Sequence, residues 1–373
     1  MNIGMQENKT HGRLLSLDAL RGADMFFIVG GEALILTLAA LFPDSGVMKE
    51  LSAQMIHVDW DGFHFMDLIF PLFLFISGVT YPFSLSSQQK KGMTRGQITL
   101  RCIRRGLILV ALGLVYNGIL SCTDFANFRY ASVLGRIGLA WMFASLINLW
   151  FSRKVCWAVI PTFLLGYWAL LVAFPESGID PFSQDGSLVG RIDRLLLPGR
   201  LYLGNHDPEG LLGLIPSIVT AMLGIEAGRI LRDKTKTEMR KVALMMLVGV
   251  LSIAIAVVWS YAMPINKNLW TSSFVMLTAG ISFCLLALFY LVIDVWGCRR
   301  LAFFPAIIGM NSITIYIASE AINFTHTADF LFTGFIDNLF PEPVRPLIFT
   351  ICCIACWWAF LYFLYRQKIF LRV

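Results

Sequence analysis

The chain has 373 residues, 57% of them hydrophobic and 14% charged, with a mean hydropathy of +0.70. Soluble domains carry roughly a quarter charged and about 45–50% apolar residues, so an ordinary soluble domain is excluded and the bilayer becomes what sets the length of each element. The net charge of +6 is distributed between apolar stretches rather than along one face, which excludes a nucleic-acid footprint.

Residues 1–13 are polar and are expected to form a short cytoplasmic segment. The first apolar stretch is long and has no small-residue cleavage pattern, which predicts an anchor rather than a signal peptide. A spanning helix needs about 20 mostly apolar residues. By that measure spans are predicted near 20–42, 65–86, 102–121, 132–151, 154–174, 209–231, 240–262, 270–294, 301–321 and 345–365. Lipid offers the backbone no hydrogen-bond partners, so each span is expected to be helical. The predicted fold is all-α: a polytopic membrane protein with about ten transmembrane helices in one bundle. Residues 1–373 then form a single domain, with 175–208 and 322–344 as non-cytoplasmic loops.

Lysine and arginine set the orientation. With the N-terminus in the cytoplasm, 21 basic residues fall on the cytoplasmic side and 7 on the other, while Arg21 and Arg136 lie at or within helices. Both termini are therefore expected in the cytoplasm, in a cell inner or plasma membrane. Of the eight cysteines only Cys122 falls in a non-cytoplasmic segment, so no disulfide framework is expected. Cys353 and Cys356 sit in an apolar run, where packing is the expected role.

Ionisable groups inside spans are costly and face a cavity or a partner. Asp18 and Arg21 are three apart, share a helix face and can pair, as a structural ion pair or at a cavity entrance. Glu32 follows Gly30–Gly31 and reads equally as cavity lining or as a satisfied core carboxylate. The segment from Met55 to Pro71 leads from an outer loop into the second span. If it is already helical, His57, Asp61 and His64 share a face, with Asp67 one turn deeper. A histidine beside carboxylates is a candidate general base; an interfacial polar cluster is the alternative. The spacing matches no recognised metal site, and no metal is expected. In Gly204–Gly210, Asp207 and Glu209 stand where a helix N-terminus is expected, and Pro208 suits its first turn. Asn311 and Ser312, inside the ninth span, are expected to bond a neighbouring helix. The stretch 323–340 reads as a surface or re-entrant helix.

Taken together these segments resemble the heparan-α-glucosaminide N-acetyltransferase family, including its shorter bacterial members. The matches are Arg13–Gly22, His57 with Trp60-Asp61-Gly62, Asp67–Pro71 continuing into Phe75–Gly78, Val133–Gly138, Ile192–Pro198, Asp207–Leu212 and Gly309–Asn311. Each is weak alone; seven in one order are specific. The resemblance implies an acyltransferase that uses cytosolic acetyl-CoA to acetylate a sugar amine across the membrane, with His57 matching the family's active-site histidine. Two departures are visible. The large luminal domain that precedes the first span of the animal enzyme has no counterpart here, so a role not specific to heparan is expected. Glu32 stands near a functionally important asparagine of that enzyme.

His57 is thus the catalytic candidate, as a base or as the acetyl carrier, with Asp61 or Asp67 orienting it. Glu32, Asp207, Glu209 and Asn311 are supporting candidates, and Asp207 or Glu209 is suited to a cationic or hydroxyl-rich sugar. Arg104 and Arg105, beside Arg101 at a basic cytoplasmic mouth, and also Arg136, are candidates for coenzyme A phosphates. The implied partners are an acyl donor, a sugar acceptor and membrane lipid, with no nucleic acid; assembly as a homodimer is compatible with this reading. Two other functions fit: an O-acyltransferase of an envelope polysaccharide, and a transporter or binding protein on the same fold.

Overall fold

The computed structural model describes residues 14–175 and 179–371; the polar segment 1–13, including Arg13 of the first motif, lies outside them. Every regular element among the described residues is helical. The helices are α1 (Leu15–Phe26), α2 (Glu32–Ala40), α3 (Gly46–Gln54), α4 (Ile69–Lys90), α5 (Arg95–Tyr116), α6 (Val133–Trp150), α7 (Arg153–Ala173) and α8 (Leu188–Leu196). They continue with α9 (Leu214–Arg232), α10 (Glu238–Ser260), α11 (Ser272–Phe289), α12 (Arg299–Met310), α13 (Ser312–Ala321), α14 (Phe324–Leu339) and α15 (Arg345–Arg366). Their starts are written locally. Thr94, Ser132, Ser152, Thr237 and Thr271 each accept the backbone N–H three residues on, which satisfies one of the donors a helix leaves unpaired at its start.

Among the described residues eight helical segments are long and apolar enough to span, and a ninth if α12 and α13, bent by 59° at Asn311, cross as one. The expected number of about ten is not reached on this measure. The difference is α5. Thr94 and Gln97 form a capping box that starts this helix at Arg95 rather than near 102. The helix therefore takes in Arg95, Arg101, Arg104 and Arg105, too many charges for a purely apolar span.

Lipid supplies no hydrophobic drive between helices, so close packing has to hold them. Backbones touch at glycine. A Cβ on Gly22 of α1 would lie 1.7 Å from the Pro305 carbonyl oxygen of α12, and one on Gly309 would lie 1.9 Å from that of Asp18. Likewise Gly78 of α4 faces Ala221, while Gly224 and Gly228 of α9 face Phe75 and Val79. The motif glycines of the first, third and last matches are therefore helix contacts. They fix α1 and α4 in register along the bundle, and those two helices carry the polar residues considered next.

Two local expectations differ from the structure, and a third, the helix in 323–340, is present. Residues 55–64 are irregular rather than helical, because α3 ends at Gln54 and a 3-10 turn, Phe65–Leu68, starts the next element. Residues 207–213 form turns ahead of α9, so Asp207 and Glu209 do not cap that helix; both turn to an arginine instead. The stretch 323–340 holds α14, which packs on α15 and leaves Phe330, Leu331, Phe335 and Leu339 exposed.

Candidate active site

Asp67 organises the segment around His57. It is buried in the 3-10 turn. Its Oδ2 accepts N–H bonds from His64 at 3.0 Å and Val58 at 3.3 Å, and its Oδ1 accepts from His57 Nδ1 at 2.8 Å. One carboxylate thus folds the irregular loop and fixes the imidazole, whose side chain remains 55% exposed. With Nδ1–H donating to Asp67, Nε2 carries the lone pair. His64 turns away, its Nδ1 donating to the Ile56 carbonyl at 2.8 Å. Asp61 does not reach His57: its Oδ1 accepts from Asn266 Nδ2 at 3.2 Å.

That Asp61 contact joins the loop to a second one. Asn266 is fully buried; its Oδ1 accepts from Leu269 N at 2.9 Å and its N–H donates to Thr271 Oγ1 at 3.0 Å. Gly62 N–H donates to the Ile265 carbonyl at 2.9 Å. Trp270, in the left-handed region at φ +52°, is buried with its ring 4.7 Å from that of Phe70 and 5.3 Å from that of Phe274. Such a turn persists only where its surroundings determine it. It delivers Lys267 to the imidazole, with Nζ 3.0 and 3.2 Å from Nδ1 and Nε2 and 3.3 Å from Asp67 Oδ1. Burial pulls the Lys267 pKa below the ordinary lysine value, and the Asp67 and Glu209 carboxylates oppose that shift.

Arg129 closes the same space from the turn before α6. Its Nε and Nη2 donate to Asp207 at 2.8 Å each, a bidentate pair, and Nη2 also bonds Glu209. Burial opposes ionisation of Asp207, but the Arg129 bonds and charge and the N–H groups of Glu209 and Tyr202 outweigh it and leave its pKa low. Burial raises that of Glu209 despite Arg129 and Arg136. The turn is held by Asp193, which is fully buried and accepts N–H bonds from Asp207 at 3.2 Å and Leu211 at 2.9 Å. A Cβ on Gly210 would lie 2.0 Å from its carboxylate, so Asp193 and Gly210 belong together. This links the fifth and sixth sequence matches.

His57, Lys267, Arg129 and Glu209 line a cavity of about 590 Å³ that also takes in Glu32, Asp59, Tyr116, Tyr202 and Tyr316. A second cavity, also about 590 Å³, lies against the first half of α1 and the middle of α4 and α5, with Asp18, Arg21, Ser77, Thr80 and Arg105 in its wall. Phe73 and Ile313 line both. The cavities are thus stacked along α1 and α4 and meet beside the α12–α13 bend. Asn311 stands at that bend, buried, and its side-chain amide has no hydrogen-bond partner among the described residues; its neighbours Met310 and Ser312 line the Arg105 cavity.

The structure therefore brings His57, Glu32 and Glu209 to one cavity, with Asp67 behind His57 and Asp207 behind Glu209. It separates the three arginines. Arg105 faces the second cavity, its guanidinium over the Trp141 ring at 4.1 Å and its Nε without a partner among the described residues. Arg104 is exposed. Arg136 is buried at the His57 end, donating to the Gly210 carbonyl at 2.7 Å. Lys267, Arg129 and Asp193 were not singled out by sequence reasoning. A lone lysine or arginine in a loop reads as a topology signal; only the buried Asn266 beside Lys267 hints at a built turn.

No family model matches the chain. It is 30% identical over 385 residues to heparan-alpha-glucosaminide N-acetyltransferase of Homo sapiens, covering 85% of this chain and 55% of that protein. It is 29% identical over 386 residues to the enzyme of the same name from Mus musculus, covering 85% of this chain and 56% of that protein. The chain spans about half the length of these curated relatives. The ordered motifs and this long alignment agree: over 85% of its length the chain is homologous to the heparan-alpha-glucosaminide N-acetyltransferases of mouse and human.

Proposed function

We propose that the chain, read as a single transmembrane domain over 1–373, is an N-acetyltransferase that moves an acetyl group from acetyl-CoA to an amino sugar across the membrane. The observation that carries this reading is the pair of stacked cavities, one with an oriented His57 and the other with Arg105 and Arg21, meeting at Phe73 and Ile313. Arg105 and Arg21 suit the phosphates of coenzyme A, and the apolar junction suits its thioester arm. The basic asymmetry of the loops, counted with α5 as a span, supports a cytoplasmic Arg105 cavity with His57 on the far side. The names of the relatives supply the reaction class.

Asp67 holds Nδ1, so Nε2 faces the chemistry. As a base it takes the proton of the acceptor amine as the nitrogen attacks the acetyl carbonyl; the coenzyme A thiolate leaves and recovers that proton from His57. As an acetyl carrier the same nitrogen attacks first. Glu209 and Glu32 face an acceptor that carries a cationic amine before it is deprotonated, and the tyrosines offer ring faces to a sugar.

The test is acetyl-CoA consumption with glucosamine as acceptor and N-acetylglucosamine as the blocked control. Consumption with glucosamine alone supports amine transfer. Consumption with both indicates O-acylation of a sugar hydroxyl, and none with a broad sugar panel removes the reading in favour of a binding or transport role. The same assay separates the arginines. A charge-assisted hydrogen bond is worth about 1.5–3 kcal/mol, so Arg105→Ala is expected to raise the KM for acetyl-CoA about tenfold or more, with Arg104→Ala close to wild type. Equal effects of the two would leave these arginines as topology signals only.

A further inference from the structure

The groups around His57 Nε2 are unequal in what they can donate. Glu32, Asp59 and Glu209, when ionised, accept only. Arg129 is committed to Asp207 and Glu209. Lys267 lines the same cavity with Nζ 3.2 Å from Nε2, the nitrogen that meets the reacting groups. Its backbone is fixed by the Asn266 hydrogen bonds, by Gly62 N–H on Ile265, and by the Asp61–Asn266 contact. A flexible four-carbon stem on a rigid turn gives a cationic donor whose base does not move while its tip shifts by a few ångströms.

We propose that Lys267 is a further catalytic residue, donating from Nζ to the acyl carbonyl oxygen as negative charge develops on it. The inference rests on the acyl-transfer reading. In the resting site Nζ sits against the imidazole ring and Asp67. When an acceptor N–H takes its place at Nε2, Nζ is left beside the attacked carbon. The new N–C bond forms as the C=O π pair moves to oxygen, where Nζ–H donates to it. The π bond then reforms, the C–S bond breaks, and the thiolate takes the proton held on Nε2. Lys267 ends as it began, and no other reactant is needed. Burial weakens the competing hydration of the ammonium, and a donor placed in advance where charge appears costs no reorganisation. The Asp61-Gly62 element of the sequence then has a physical reason: it pins the Lys267 turn to the His57 loop. Asp61 is in this sense a positioning residue.

The test compares two coenzyme A thioethers on the full-length protein in detergent. S-trifluoroacetonyl-CoA has an electrophilic carbonyl, one methylene beyond the sulfur, that becomes tetrahedral and presents an oxygen to the same donor; S-ethyl-CoA has no carbonyl. Wild type is expected to bind the ketone at least about tenfold more tightly. Lys267→Met is expected to lose that preference and keep the S-ethyl-CoA affinity, with kcat for acetyl transfer down by about 10²–10³, the usual effect of removing one such donor. Lys267→Arg should recover part of the preference, since it restores a cationic donor. If the Met variant keeps the preference, or loses affinity for both thioethers alike, Lys267 is structural and the proposal is overturned, while acetyl transfer by wild type would still stand. If wild type binds neither thioether and consumes no acetyl-CoA, the functional reading fails and this inference falls with it.

Discussion

Replacing His57 by alanine is expected to lower acetyl transfer by about 10²–10⁴-fold, with expression, detergent stability and acetyl-CoA binding near wild type. The surroundings explain why folding should survive. His57 is the exposed member of its pair, so little buried surface is lost. Asp67 keeps its N–H bonds from Val58 and His64 and the Lys267 ammonium at 3.3 Å, so removing the imidazole does not strand a buried charge. Acetyl-CoA binding should persist because Arg105 and Arg21 lie in the other cavity. His64→Ala is the control: its ring turns to the Ile56 carbonyl and not to the cavity, so a much smaller loss is expected. A His57→Ala enzyme with most of its activity, or a more damaging His64→Ala, would move the chemistry elsewhere.

Arg129→Ala should be the most destabilising change at this end of the bundle. Breaking a buried ion pair by removing one partner costs about 3–5 kcal/mol, because the remaining charge has no compensation. Here two carboxylates are left, Asp207 fully buried and Glu209 with only 9% of its side chain exposed. Arg136 adds charge nearby, but its guanidinium is on the Gly210 carbonyl and makes no hydrogen bond to either carboxylate. Arg129→Lys should rescue poorly, because a single ammonium cannot reproduce the bidentate Nε and Nη2 geometry on Asp207. Adding Glu209→Gln to Arg129→Ala should recover part of the loss by removing one stranded charge. The readout is the thermal inactivation midpoint in detergent, compared at one scan rate. An unchanged midpoint in Arg129→Ala would mean that the carboxylates find solvent or another cation.

Much of this architecture is legible in one sequence, and the reasons are physical. Spanning helices announce themselves because lipid demands long apolar runs, and Thr94, Ser132 and Ser152 mark helix starts by chemistry that acts over three residues. The His57–Asp67 pair is legible for the same reason: both partners lie within one local segment. What lies beyond local reach was not. The register that sets Lys267 over His57 depends on Asn266 meeting Asp61, 205 positions apart. The Arg129–Asp207 pair spans 78 positions. Asp207 and Glu209 read as a helix cap because Pro208 fits one; their true partner comes from another loop. Arg104 and Arg105 are adjacent in sequence, yet successive positions on a helix point in different directions, and only the packed bundle shows that Arg105 faces the cavity. The number of spans is less sharply legible, because the capping box at Thr94 draws four arginines into the 22-residue α5.

The stacked cavities make one claim above the others: donor and acceptor meet from opposite faces of the membrane at His57. Purified protein in sealed vesicles, sorted for a single orientation, tests it directly. Radiolabelled acetyl-CoA is supplied only on the face bearing Lys90, Lys91 and Arg95, and glucosamine only on the other. The expected result is labelled N-acetylglucosamine accumulating on the glucosamine side, absent in His57→Ala vesicles that still bind acetyl-CoA. Label appearing only when donor and acceptor share one compartment would contradict transfer across the membrane.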